Sequence, residues 1–240
     1  DAEVALRRVV EGGPGDWVEK YGIRRYGFHG SSHNYIAVKM QEIAPEAQKI
    51  ISLHLGGSSS LCAIVDGKSI AASMGATPQS GLFQNNRVGD FDSFCLPRLI
   101  EVYGDLDKVM EQLSTQSGFQ GLSGVSNDLR DVIEKAEIGN EQAKLAIDAF
   151  IDNCIGYIGM YIAYMQGVDA LVFTGGIGLN CTLIRERICK HFDYLRIKLD
   201  PEKNRGKISM PESSIEIWTL EANEELIVAR QAREVLSAQK

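Results

Sequence analysis

Between Lys49 and Ser73 the chain runs through three short β-prone stretches joined by turns too tight to hold a crossover, and nothing else in the sequence restricts the fold as much. Ile50-Ile51-Ser52-Leu53-His54-Leu55 stops at Gly56-Gly57. Ser60-Leu61-Cys62-Ala63-Ile64-Val65 leads into Asp66-Gly67, a two-residue hairpin turn, and Ser69-Ile70-Ala71-Ala72-Ser73 returns. Strands joined this closely pair antiparallel, so the three form a meander. Further on, Ala170-Leu171-Val172-Phe173-Thr174 is a buried-type strand cut by Gly175-Gly176, and Ile215 to Leu220 alternates as another strand. Helical spacing fills the interval: Ser93–Tyr103, Leu106–Leu113 behind Asp105 as N-cap, and a helix from Ser126-Asn127-Asp128 to near Gly139. Glu141 to Gln166 reads as one long helix, apolar nearly all round in its second half and therefore central. A helix begins near Thr182 and another, Glu224 to Ala238, closes the chain. A meander followed by alternating helices and strands is an α/β domain with a mixed sheet.

The 240 residues suffice for one domain with a sizeable core, and a hydrophobic content of 44% is ordinary for a globular protein. A net charge of -7 argues against a nucleic-acid partner, since phosphate neutralisation needs a basic surface. No apolar run approaches the roughly 20 residues of a membrane span. Ile155 to Met165 is short, with Asp148 and Asp152 just before it, so no membrane partner is expected. Cys62, Cys95, Cys154, Cys181 and Cys189 are odd in number and form no CxxC pair. That usage is expected of a cytoplasmic protein with reduced structural thiols and no zinc site. The chain begins at Asp1 rather than at a methionine, and residues 1–20, charged and broken by Glu11-Gly12-Gly13-Pro14-Gly15, are set apart from 21–240.

Chemistry concentrates in Arg24-Arg25-Tyr26-Gly27-Phe28-His29-Gly30-Ser31-Ser32-His33, which holds two histidines, two cations and no aliphatic side chain. Such a segment is a poor core and a candidate site loop. Three strands also end in small residues: Gly56-Gly57-Ser58-Ser59-Ser60, Met74-Gly75 and Gly175-Gly176-Ile177-Gly178. Glycine turns after strands expose backbone N–H groups to anions. Any one of them is weak, because strand ends use glycine for steric reasons alone. None is a Walker A loop or a dinucleotide fingerprint.

Taken together, these segments resemble a known family. Arg25–His33 resembles the acetate kinase signature RYGFHGTSH, and His54–Ser59 resembles its HLGNGxS phosphate loop. Ser73–Pro78 is similar to SMGxTP, Asn86–Asp90 to TRxGD, Val172–Asn180 to VFTGGIGEN, and Asn223–Leu226 to NEEL. Six matches in order, from about Val18 to the C-terminus, imply the acetate and sugar kinase/Hsp70/actin type of fold: a five-stranded, ribonuclease-H-like mixed sheet flanked by helices. The resemblance implies a homodimeric phosphotransferase that uses ATP/ADP and Mg2+ and takes acetate or another short-chain carboxylate. Residues 1–20 are then the remnant or linker of a first domain, and 21–240 the C-terminal nucleotide-binding domain.

By matching motif, His29 is expected to hydrogen-bond the migrating phosphoryl group and Arg87 to stabilise its charge with a planar fork. His54, Leu55, Gly56, Gly57 and Ser58 correspond to the phosphate loop. Asp128, Leu129 and Arg130, with Gly176, Ile177, Gly178, Leu179 and Asn180, correspond to the nucleoside-binding segments. Phe28 and Pro78 are expected to line the acyl pocket, and Glu224 to hold magnesium. His33 is a candidate support for the site, and His191 an exposed helix residue. There are departures too. Gly57-Ser58 replaces the family's Asn-Gly, Leu179 a glutamate, Cys181 a serine and Asn86 a threonine. The first domain's asparagine, arginine and aspartate have no counterpart before Trp17. Three readings stand open: half of an acetate-kinase-like enzyme, a nucleotide-binding paralogue without turnover, and a scaffold that keeps the fold alone.

Overall fold

The computed structural model describes residues 14–238; residues 1–13 of the segment set apart by sequence lie outside the described residues. Helix α1 (Asp16–Tyr21) leads to α2 (Gly30–Ile43), and then the meander forms from β1 (Lys49–His54), β2 (Ser60–Val65) and β3 (Lys68–Ala72). Asp66 and Gly67 turn between β2 and β3 with φ of 52° and 74°, both left-handed as that hairpin requires. After a 3₁₀ turn at Ser93–Cys95 come α3 (Leu96–Tyr103), α4 (Leu106–Thr115), α5 (Gly118–Ser123), α6 (Leu129–Glu137) and α7 (Glu141–Met165). The chain ends through β4 (Ala170–Thr174), α8 (Gly175–Asn180), α9 (Thr182–His191), β5 (Gly206–Lys207), β6 (Glu216–Thr219) and α10 (Glu224–Ala238).

The strands form one mixed sheet in the order β3-β2-β1-β4-β6-β5. β1 pairs antiparallel with β2 and parallel with β4, and β4 pairs parallel with β6. All five strands expected from sequence are present. The sixth, β5, is a two-residue edge strand whose length carries no periodicity to read. Capping also follows expectation: Asp105 and Asp128 accept the N–H groups of Lys108 and Arg130 at the starts of α4 and α6.

Because side chains alternate across a strand, the sheet has two faces with different contents. Ile51, Leu53, Leu61, Ala63, Leu171, Phe173 and Ile217 share a core with α7. Ile50, Cys62, Ile64, Ala170 and Val172 meet Ile36, Ala37 and Met40 of α2. Ser52, His54 and Ser60 have the parity of this second set. Helix α7 corrects one expectation: at 25 residues it is long and apolar enough to cross a membrane. Here Ala146, Phe150, Cys154, Ile158 and Tyr161 are buried in the core, while Asp148 pairs with Arg187 at 2.8 Å. The apolar run continues N-terminal to Ile155 because core helices and spans share a composition.

Phe150, fully buried, packs against Phe119 and Phe83 at centroid distances of 4.9 and 5.6 Å. Phe150→Ala should therefore cost about 3–5 kcal/mol of stability, read as a lower urea midpoint with an unchanged denaturant slope.

Candidate functional site

Segment 24–33 is less of a loop than its composition suggests: Gly30 to His33 form the first turn of α2, and Ser32 and His33 are buried. Sequence periodicity missed this helix because its first turn buries hydroxyl and imidazole groups instead of aliphatic ones. His29 sits just before it as N-cap, in the left-handed region at φ 59°. His54 ends β1, and its ring stacks on that of His29 with centroids 4.1 Å apart and planes 15° from parallel. Ser60 Oγ lies 2.8 Å from both His29 Nδ1 and His33 Nε2. His33 Nδ1 lies 2.9 Å from Ser52 Oγ, and His54 Nδ1 lies 2.8 Å from Ser32 Oγ. Three histidines and three serines thus fill the end of the sheet face covered by α2.

Arg87 reaches this cluster from a loop tied down on several sides. Its backbone carbonyl accepts the Gln84 N–H at 3.1 Å, and its guanidinium donates to Gln84 Oε1 at 3.3 Å. Gln84, 1% exposed, donates in turn to the Pro78 carbonyl at 2.9 Å. Gly118 closes over the loop with φ +63°, and a β-carbon there would lie 2.0 Å from the Gln84 carbonyl oxygen. Only glycine permits that approach.

The same end of the sheet carries the glycine loops. His54 and Thr174 are register partners in the parallel β1–β4 pair, and the Leu55 N–H continues the ladder to the Thr174 carbonyl. The Leu55 carbonyl then accepts N–H groups from both Ile177 and Gly178, at 2.9 and 3.0 Å. A cavity of about 570 Å³ opens here, lined by Gly56, Gly57, Asn85, Ile133, Gly176, Ile177, Asn180, Cys181 and the Asp128–Arg130 segment. A β-carbon on Gly56 would stand 3.9 Å from His54 Nε2, so the cavity and the histidine pair meet at that residue.

Burial is the first cause of the electrostatics. His29 is pushed down to about 4 by desolvation, then by the neighbouring His54 and by the positive charge of Arg87. His33 is pushed down to about 3 by desolvation and the other two rings. His54 is lowered by burial, while the Glu224 carboxylate pulls the other way. All three imidazoles are therefore neutral at pH 7, and Arg87 carries the positive charge. Asp128 is held down to about 2 by hydrogen bonds from the Arg130 side chain and backbone.

Of the residues singled out by sequence, His29, His54 and Arg87 converge, and Glu224 comes within electrostatic reach of His54. Gly56, Gly57, Asp128, Leu129, Arg130, Gly176, Ile177 and Asn180 line one cavity. Leu55 and Gly178 are buried behind it, and neither Ser58 nor Leu179 belongs to its lining. Phe28 lines a different cavity, of about 290 Å³, with Tyr26, Ala37, Cys62 and Ile64; Pro78 is not part of that lining. His191 is exposed at the end of α9. Sequence reasoning missed Ser32, Ser52, Ser60, Gln84, Asn85 and Arg205, whose guanidinium donates to Asn180 Oδ1 at 2.7 Å. The available signal was a polar residue inside an apolar run: Ser52 between Ile51 and Leu53, and Gln84 after Phe83.

Among the described residues no group of three or more histidine, cysteine or acidic side chains is placed to hold a metal. A dedicated all-protein cage is thus not on offer. One carboxylate, Glu224, near His54 fits an ion held chiefly by water and substrate phosphates, the usual situation of Mg2+.

Residues 8–230 match the Acetokinase family. The chain is 47% identical over 226 residues to an acetate kinase of Syntrophomonas wolfei, covering 90% of this chain and 57% of that protein. It is 47% identical over 232 residues to an acetate kinase of Dictyoglomus turgidum, again 57% of the relative. The crystal structure of Porphyromonas gingivalis acetate kinase superposes with a TM-score of 0.89 at 37% identity, over 96% of this chain and 60% of that one. A propionate kinase from Francisella tularensis gives 0.88 at 35% identity, over 93% and 59%. The chain therefore spans a little over half the length of the curated relatives it matches.

The neutral histidines set the acid response of the fold. The folded chain keeps His29 unprotonated down to about 4, whereas an unfolded chain protonates it near 6.5. The unfolded state binds more protons in that window, so stability is complete above it and falls as pH drops through it. The urea midpoint should decline from pH 6.5 towards 4, and His29→Asn, which tolerates the left-handed φ, should flatten the decline.

Proposed function

The chain belongs to the acetokinase family, and on that premise we propose that it is the nucleotide-binding half of a phosphotransferase moving a phosphoryl group between ATP and a short-chain carboxylate such as acetate. The observation that carries this reading is the meeting, at Gly56, of a glycine-lined cavity with two stacked neutral imidazoles, one of which, His29, lies within the field of Arg87. Phosphoryl transfer needs positioning and charge stabilisation more than covalent help from the protein. In this reading the cavity takes the nucleoside, with Ile133 and Ile177 as its apolar walls, and the loop at Gly56-Gly57 gives the phosphates close access to backbone.

His29 and His54 then act as uncharged hydrogen-bond donors to phosphoryl oxygens, and Arg87 supplies the positive charge as a planar fork. A neutral imidazole orients an oxyanion without drawing the ATP ground state into an ion pair that transfer would have to break. Magnesium bound with the nucleotide would neutralise charge on the phosphates, and Glu224 is the carboxylate that would hold it. Phe28 and Pro78 are assigned to the acyl side. Residues 21–240 form the nucleotide-binding domain and residues 1–20 its lead-in from a first domain, which supplies the remaining acyl-binding groups. Assembly as a homodimer belongs to the same reading.

Calorimetric titration with ADP, and with ATP and Mg2+, tests it. One nucleotide should bind per chain, and Ile177→Asp should weaken binding at least ~10-fold by putting a carboxylate on an apolar wall. Absence of heat with either nucleotide would leave only a scaffold. In a hydroxamate assay for acetyl phosphate, these 240 residues alone should show little or no acetate-dependent turnover; robust ADP formation would contradict the two-domain assignment.

A further inference from the structure

The histidine–serine cluster contains more information than its distances, because each hydroxyl has one proton to give. Ser60 Oγ contacts His29 Nδ1 and His33 Nε2, so at least one of those nitrogens must donate to it. Ser52 and Ser60 are 0% exposed. Ser52 Oγ has His33 Nδ1 as its one hydrogen-bond partner among the described residues. These facts limit the proton arrangements to three. If both histidines donate to Ser60, the Ser60 hydrogen has no acceptor. If His29 Nδ1–H donates to Ser60 and Ser60 to His33 Nε2, then His33 Nδ1–H donates to Ser52 and the Ser52 hydrogen is stranded. Stranding a buried donor forfeits its hydration with no return.

We propose that the third arrangement holds, and that Ser52, His33 and Ser60 form a one-way relay that sets the tautomer of His29. Ser52 O–H donates to His33 Nδ1, His33 Nε2–H to Ser60 Oγ, and Ser60 O–H to His29 Nδ1. Every buried hydrogen then has an acceptor, and the remaining proton of His29 is placed on Nε2. The same accounting applies to the second ring. Ser32 is 0% exposed, and its hydroxyl has His54 Nδ1 as its one side-chain partner among the described residues, so it donates there and the His54 proton also sits on Nε2. Neither Nε2 is hydrogen-bonded among the described residues, and neither is among the buried polar atoms that lack a partner. Two Nε2–H donors are therefore left without a protein partner among the described residues, that of His54 beside Gly56. Desolvation, which keeps all three rings neutral, makes a fixed tautomer meaningful.

Ser52, His33, Ser60 and Ser32 are thus positioning residues that act through His29 and His54. What the two donors face rests on the phosphotransferase reading; the tautomers themselves do not. The experiment is a long-range ¹H–¹⁵N correlation on the ¹⁵N-histidine-labelled chain without nucleotide, with rings assigned by substitution. His29, His33 and His54 should each show a protonated Nε2 and a bare, pyridine-like Nδ1. A proton on Nδ1 of His29 or His33 overturns the relay. Ser60→Ala gives the second readout, since it removes the hydroxyl that donates to His29 Nδ1. With that donor gone, an Nδ1–H form should become detectable at His29. A His29 that keeps its single Nε2–H tautomer in Ser60→Ala also overturns the proposal. Failure to bind ADP would defeat the functional reading and leave these spectra unchanged, so the two failures are distinguishable.

Discussion

Everything at the candidate site depends on the parallel pairing of β1 with β4. Parallel strands finish at the same sheet edge, so His54 and Thr174, 120 residues apart in sequence, end side by side. The contact that locks this edge is the Leu55 carbonyl, which accepts two N–H groups from the first turn of α8. Gly175 makes the bend possible, with φ +76° and a position where a β-carbon would fall 2.5 Å from that same carbonyl oxygen. With any other residue the loop would lift off β1, and the cavity, the histidine pair and Arg87 would no longer share an edge.

Charge is divided among these groups in a way that burial enforces. Imidazoles packed under α2 lose too much hydration to accept protons, so they serve as dipoles, and the positive charge is left to the Arg87 guanidinium. The N-terminus of α2 begins at Gly30 and adds partial positive charge on the same side, which also disfavours protonation of His29. A site built this way keeps its charge state constant across the neutral range. Its hydrogen-bond geometry is set by buried hydroxyls and not by pH.

Much of this was legible in the sequence, and the limits have physical causes. Strands of five or six residues with tight turns declare themselves, and so do capped amphipathic helices such as α4 and α6. The motif segments were legible as a set, since the resemblance depends on their order along the chain. What stayed hidden is whatever depends on tertiary partners. Helix α2 was invisible because its buried first turn is made of Ser32 and His33, whose polar groups find their partners only on β1 and β2. Gly118 gave no signal, since the steric demand on it comes from Gln84, more than thirty residues away. The serines at 32, 52 and 60 look incidental one at a time. Only the two-residue strand period and the β1–β2 register bring Ser52 and Ser60 to one face, and the packing of α2 against that face brings Ser32 to His54.

The departures from the family pattern gain a spatial meaning in the same way. Where the resemblance places Asn-Gly, this chain has Gly57-Ser58. Ser58 lies outside the cavity lining, so its β-carbon does not narrow the cavity. At position 57 a β-carbon would approach Asn85 Nδ2 to 3.3 Å, closer than most such contacts. The amide of Asn85 therefore occupies the space that a side chain at 57 would need, and it lines the same cavity from the Arg87 loop. Its Oδ1 is buried without a partner, which is costly unless something in the cavity donates to it. An amide lost from the strand-end loop thus has a counterpart on the neighbouring one, at a position that a pairwise motif match leaves out. The loop carrying Arg87 is for that reason part of the cavity wall as well as the support of a cation, and a side chain at position 57 would press on the Asn85 amide within that wall.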